Sequence, residues 1–191
     1  MTHLYLIRHG ETDWNVEGRW QGQADVPLNP KGREQAAQIA RTLARVGLKA
    51  IYASDLLRAR ETAQALVKTT GVTLHYDPRL REIHQGEWQG LLVTEIQARY
   101  GEAFQRRLEN PLAVAPPGGE TVEQVRNRVV KAIESILAKY PADRVAVVSH
   151  GFALAVIQVH YLGLSIEQVW ERVPKNDEWI ELRIAPHQTL E

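Results

Sequence analysis

Apolar residues along this chain follow two alternating rhythms. Short runs recur at Leu4–Ile7, Ala50–Ala53, Val72–His75, Val145–Val148 and Trp179–Ile184. Runs of that length bounded by polar residues read as strands, and those apolar throughout read as strands covered on both faces. Between them, apolar positions repeat at helical spacing. Ala36, Ala37, Ile39, Ala40, Leu43 and Val46 form one stripe, opened by Asn29-Pro30 and closed at Gly47. A second helix is expected to be capped by Ser54-Asp55 and to run to about Thr70. A third opens at Glu120-Thr121 and places Val122, Val125, Val129, Ile133, Ile136 and Leu137 on one face. A fourth, apolar, spans Phe152–Leu162, and Ser165–Arg172 reads as a short helix. Strands alternating with helices predict an α/β fold, a mainly parallel sheet flanked by helices. The alternation breaks over residues 79–119, where a mixed loop precedes one or two amphipathic helices and the Pro/Gly-rich stretch Pro111–Gly119. That segment predicts a small helical cap inserted after the third strand of a single domain spanning residues 1–191.

Composition narrows the chemistry. Of the 191 residues 44% are hydrophobic and 24% charged, enough for a sizeable core and unlike a disordered chain. Lysine plus arginine equals aspartate plus glutamate at 23 each, so no global basic surface points to nucleic acid. The absence of cysteine excludes a disulfide framework, a thiolate metal site and a cysteine nucleophile. No apolar run reaches the ~20 residues that span a bilayer, and no leader pattern opens the chain. The expectation is a cytoplasmic protein that binds neither membrane nor nucleic acid.

Three predicted strands end in polar groups: Arg8-His9-Gly10, Ser54-Asp55 and Ser149-His150-Gly151. Arg58 follows the second by one helical turn. Alone, each is an ordinary capping or surface feature. In a parallel sheet, however, these ends share one edge, where α/β proteins bind ligands. Two histidines and two arginines then face one crevice. Forked guanidinium donors and glycine-permitted backbone approach suit a phosphate dianion. The phosphate-loop, dinucleotide, nucleophile-elbow and zinc-protease patterns are all absent, and only four serines are present. A metal held by His9, His150 and Glu82 is conceivable by residue type but opposed by the charge of Arg8 and Arg58.

These residues resemble a known signature. Leu6-Ile7-Arg8-His9-Gly10-Glu11-Thr12 with Asn15 is similar to the opening motif of the histidine phosphatase superfamily, in its phosphoglycerate-mutase-like branch. Arg19-Trp20-Gln21-Gly22, Ser54-Asp55-Leu56 with Arg58-Ala59, Leu80-Arg81-Glu82, Pro117-Gly118-Gly119-Glu120-Thr121 and Val148-Ser149-His150-Gly151 continue the likeness in order over residues 2–160. The resemblance implies His9 as phosphoryl acceptor and Arg8, Arg58 and His150 as carriers of positive charge to the phosphoryl oxygens. It adds Asn15 as a phosphate contact and Glu82 as general acid. A neutral imidazole can attack phosphorus near pH 7, and the arginines would supply the charge that a metal supplies elsewhere, so no cofactor is expected. Glu82, in a partly desolvated cap, is expected to carry the proton for the leaving alkoxide. Glu11 is expected to hold its loop and Glu87 to lie on the surface.

Gln21, Gly22 and His84 are expected to line the substrate pocket, with Trp14, Trp20, Gln85, Trp88 and Val114 nearby. These loops show few further cations, which favours small phosphomonoesters over multiply phosphorylated substrates. Only 36 positions separate Glu82 from Gly118, too few for the long cap insertion of the family's glycolytic mutases. Hydrolysis of small phosphorylated metabolites is therefore expected, with a mutase and a non-catalytic phosphate-ligand domain as alternatives. The final strand is read as an open edge available for a homodimer.

Overall fold

A computed structural model describes residues 1–185. Five strands, β1 (Thr2–Arg8), β2 (Ala50–Ala53), β3 (Leu74–Tyr76), β4 (Arg144–Ser149) and β5 (Trp179–Ile184), form one sheet in the order β3-β2-β4-β1-β5. All neighbours pair in parallel except β5, which runs antiparallel to β1 at one edge. Helices α2 (Pro30–Leu43) and α3 (Leu57–Thr70) cover one face. Helices α5 (Val122–Lys139) and α6 (Gly151–Tyr161) cover the other.

The period-two geometry of a strand explains the continuous apolar runs. Leu4 and Leu6 of β1 join Val145 and Val147 of β4 in the core beneath α5 and α6. Tyr5 and Ile7 join Ala146 and Val148 in the core beneath α2 and α3. Helix α6 is apolar around its circumference because it is buried nearly end to end.

The cap holds α4 (Val93–Glu109), whose helical path is broken at Tyr100, so both readings of that segment, one helix or two, describe part of it. Its own small core is Trp88, Ile96 and Phe104, with Trp20 packed against it. Other elements depart from expectation for local reasons. Helix α2 ends at Leu43, and Gly47 takes its positive φ in the loop beyond. Asp55 does not cap α3, because its carboxylate is held by the Arg81 guanidinium at 2.6 and 2.7 Å. The loop after β1 contains an unforeseen short helix, α1 (Asp13–Glu17), closed by a reciprocal cap between Thr12 and Asn15. The short helix expected over Ser165–Arg172 is present as a 3₁₀ helix, Ile166–Arg172, with Ser165 at its N-cap. No helix among the described residues is long and apolar enough to cross a membrane.

Candidate active site

The strand register brings the polar ends together. Arg8 lies opposite Ser149 and Ala53 opposite Val148, so His9, Ser54 and His150 emerge at one level of the sheet edge. The His9 amide donates to the Ser149 carbonyl at 3.0 Å, continuing the ladder into the site. The two imidazole rings lie 5.1 Å apart between centroids.

His9 is oriented at both ring nitrogens. The Gly10 carbonyl accepts a hydrogen bond from Nδ1 at 2.7 Å, which leaves Nε2 unprotonated. The Arg58 Nε donates to that Nε2 at 3.2 Å. Burial, and then the adjacent charges of Arg58 and Arg8, hold the His9 ring well below the ordinary histidine pKa. Its Nε2 lone pair is thus held unprotonated near neutral pH and is engaged by the Arg58 N–H.

Arg58 is 1% exposed and anchored by the carbonyls of Ala24 (2.7 Å) and Gly22 (2.8 Å). Burial brings its pKa down to about 10, against the opposing pull of Glu82 and Asp25, so it remains a cation near pH 7. Each of its two terminal nitrogens spends one of its two N–H donors on a protein carbonyl and keeps the other. The Pro174 carbonyl accepts from the Arg8 Nη1 at 2.6 Å, and the Arg8 Nε is buried without a partner among the described residues.

His150 lies fully buried beside His9, with Nε2 2.8 Å from the Ser54 hydroxyl and Nδ1 without a partner among the described residues. Burial first, and then Arg58, push its pKa well down. This corrects the positive charge assigned to His150: near neutral pH it is a neutral hydrogen-bonding group.

Glu82 is clamped from behind. Its carbonyl accepts from the Arg128 Nη2 at 2.8 Å and the Gln23 Nε2 at 3.0 Å. Arg128 also binds the carbonyls of Arg79 and Arg81 and the Glu120 carboxylate. The Glu82 carboxyl oxygens accept from the amides of Ile83 (2.9 Å), Phe152 (3.0 Å) and Ala153 (3.1 Å), the last two in the first turn of α6. Glu82 is half-buried, in keeping with the expected partly desolvated setting, and its carboxyl faces three N–H donors.

A cavity of about 390 Å³ opens above these groups, lined by Arg8, His9, Asn15, Arg58 and Glu82 among others. Gln21 and Gly22 line it as expected, the Gln21 Oε1 buried without a partner. His84 does not: its Nδ1 accepts from the Gly86 amide and its backbone pairs with Glu120, and its neighbours Ile83 and Gln85 face the cavity instead. Glu11 holds the loop through Lys31 and Asn29, and Glu87 is exposed, both as expected.

Three features escaped the sequence. Asn176, in the loop before β5, donates to the His9 carbonyl at 2.9 Å and to the Asn15 Oδ1 at 3.4 Å. No local pattern signals a contact across 167 positions. Phe152, Trp170 and Val173 form an apolar side of the cavity. Arg107, 5% exposed, also lines it, and its hydrogen-bond partner among the described residues is the Val114 carbonyl. With Arg19 it corrects the expectation of few further cations. A signal existed here, since the stripe Ile96, Tyr100, Phe104 extended by three residues lands on Arg107.

No three His, Asp or Glu side chains converge as a metal cluster among the described residues. What converges is an oriented imidazole held toward its neutral form, one buried and one half-buried guanidinium group and a carboxyl group, an arrangement suited to phosphoryl transfer. Comparison with known proteins agrees. The family model for the histidine phosphatase superfamily (branch 1) matches residues 4–190. "Phosphoserine phosphatase 1" of Hydrogenobacter thermophilus is 35% identical over 170 residues, covering 89% of this chain and 81% of its own length. "Probable phosphoglycerate mutase GpmB" of Serratia proteamaculans is 35% identical over 164 residues, covering 86% and 76%. The structure of a mycobacterial glucosyl-3-phosphoglycerate phosphatase with VO3 superposes with a TM-score of 0.86 at 34% identity, covering 95% of this chain and 90% of that one. With the motif order, the paired histidines and these matches in agreement, the chain belongs to the histidine phosphatase superfamily, branch 1.

Proposed function

We propose that this enzyme hydrolyses phosphomonoesters of small metabolites through a phosphohistidine, and that it needs no metal. The observation that carries the reading is the fixation of His9, with Nδ1 engaged by the Gly10 carbonyl and Nε2 unprotonated beside the Arg58 guanidinium, the nitrogen that attacks phosphorus once substrate displaces that contact. In the first step the Nε2–phosphorus bond forms and the ester phosphorus–oxygen bond breaks. The departing alkoxide takes a proton from Glu82. In the second step Glu82 accepts a proton from water as the water oxygen attacks phosphorus, and inorganic phosphate leaves His9 neutral. Arg8 and Arg58 stabilise the equatorial oxygens, with Asn15 and His150 as neutral partners.

The names of the relatives support small phosphorylated substrates, two of them phosphate esters of hydroxyl groups on carboxylate-bearing molecules. Arg107, a cavity cation without an acidic partner among the described residues, supports an anionic group on the alcohol half. Such substrates fit a cytoplasmic enzyme, and the outer edge of β5 is available to a second copy of the chain. The relative named as a mutase supports a second reading, phosphoryl transfer within phosphoglycerate. Assay of 3-phosphoglycerate for released phosphate and for 2-phosphoglycerate separates the two. For the mechanism itself, the folded His9→Ala protein is expected to retain under ~1% of wild-type turnover. An acid-labile, base-stable phosphoenzyme is expected to be trapped in wild type alone, and a phosphoenzyme formed equally by His9→Ala would overturn the assignment.

A further inference from the structure

The cavity has one polar and one apolar wall. Gln21, Gln85 and Arg107 lie among its polar lining, while Phe152, Trp170 and Val173 are contributed by α6 and the segment that follows it. Phe152 packs against Trp170 with ring centroids 4.9 Å apart and planes inclined at 42°. Trp170 nevertheless stays 46% exposed and Val173 39%. The 3₁₀ geometry explains the outward ring. Ile166 and Val169 stack at a spacing of three toward the core, which turns the next residue, Trp170, out to the cavity.

This wall starts at the chemistry. The Phe152 amide donates to the Glu82 Oε2 at 3.0 Å, and both residues line the same cavity, so the wall begins beside the residue proposed to protonate the leaving oxygen. Val173 lies against Gly151, where a Cβ would come within 2.9 Å of the Val173 Cγ1 and 3.3 Å of the Arg8 guanidinium carbon. An alcohol leaving past Glu82 therefore passes over Phe152 toward Trp170. The cavity of about 390 Å³ holds roughly a dozen waters at ~30 Å³ each, more space than a phosphoryl group and a three-carbon alcohol fill.

We propose that Trp170, backed by Phe152, is a specificity-determining platform that stacks a ring or other flat apolar portion of the alcohol, so that preferred substrates are phosphomonoesters carrying such a body. This rests on the phosphatase reading above and extends it to the leaving group. A half-exposed indole gains most from a flat partner that displaces its surface water.

The test compares 2-phenylethyl phosphate with ethyl phosphate, two alkyl esters that differ by one phenyl ring. Wild type is expected to favour the phenyl ester by about 10-fold or more in kcat/KM. Trp170→Ala is expected to erase most of that preference and Trp170→Phe to keep most of it. The ratio is taken within one preparation, so partial misfolding cancels. A wild-type ratio near one, or a ratio unchanged in Trp170→Ala, overturns the platform. Calorimetric binding of both esters to the His9→Ala protein gives the same comparison without turnover. A protein that bound the phenyl ester selectively yet hydrolysed neither would overturn the phosphatase reading and leave the platform. One that hydrolysed both equally and bound both equally would do the reverse.

Discussion

His9 and His150 are both enclosed, and enclosure acts on each in the same direction. The charged ring loses water and faces guanidinium groups, so both histidines are pushed well below 6.5. For His9 this keeps the nucleophile available on the acid side of neutrality. At pH 6.5, where a free imidazole is half protonated, NMR titration of the His9 ring is expected to find it predominantly neutral. NMR avoids confusion with the substrate phosphate, which ionises near pH 6. The same shifts affect stability. Below about 6.5 the unfolded chain binds protons that the folded site resists, so stability rises with pH and falls as pH drops from about 7 toward 5. A urea midpoint that held constant across that range would contradict the assignment of two neutral, buried rings. Glu82 poses a different question, because its oxygens face three N–H donors. Glu82→Gln removes the acid and also sets an amide NH₂ against one of those donors, so an absolute rate loss is ambiguous. The dependence on leaving group is not. Ethyl phosphate is expected to lose ~10²–10⁴-fold in single-turnover phosphorylation, and p-nitrophenyl phosphate much less. Equal losses would make Glu82 a structural residue.

At the scale of elements, the site depends on close contact between the catalytic loop and the start of α2. A Cβ on Gly10 would sit 2.2 Å from the Gly32 carbonyl oxygen, and one on Gly32 would sit 2.0 Å from that of Glu11. Both obstacles are backbone and cannot swing aside. In an exposed helix Gly→Ala normally stabilises by ~0.5–1 kcal/mol. Here overpacking, at about 1–3 kcal/mol, outweighs that gain. Gly32→Ala is expected to lower the urea midpoint and reduce kcat/KM together, and a stabilised, fully active variant would show that the loop does not rest on α2. The loop is held on its other side by the segment Pro174–Asn176, which binds Arg8, His9 and Asn15.

Across the whole molecule the sheet is sandwiched between two helical layers, and the cap adds a small aromatic core of its own. Charge reaches the cavity from β1, α3 and α4 through Arg8, Arg58 and Arg107. In the proposed mechanism Arg8 and Arg58 take the role that a divalent ion plays in other phosphoryl-transfer enzymes. Activity is therefore expected to survive dialysis against EDTA, measured as kcat/KM before and after. Loss that returns on adding a divalent cation would reinstate a metal at the sheet edge.

Those elements whose residues repeat a period were legible in the chain alone. Five strands, four long helices, the cap and the coincidence of His9, Arg58, Glu82 and His150 at one sheet edge all followed from apolar spacing and the ordered motifs. Trp179–Ile184 and Ala50–Ala53 matched residue for residue, because their ends are set by local turn and charge signals. Boundaries shifted where a tertiary partner overruled a local signal, as when Arg81 claimed the Asp55 carboxylate and α3 began later. His84 shows the same limit: its residue type suited a pocket, but a turn consumed its ring nitrogen. Protonation also lay beyond sequence. The neutrality of His150 follows from complete burial beside Arg58, and the setting of Glu82 from amides of α6 some seventy positions away. Asn176 and Trp170 carry no motif, and only folding brought the one to the His9 carbonyl and the other to the cavity. Periodicity and motif order are local properties of a chain and survive without its fold. Burial, the pairing of donors and the shape of a cavity arise from residues distant in sequence, so only the tertiary structure decides them.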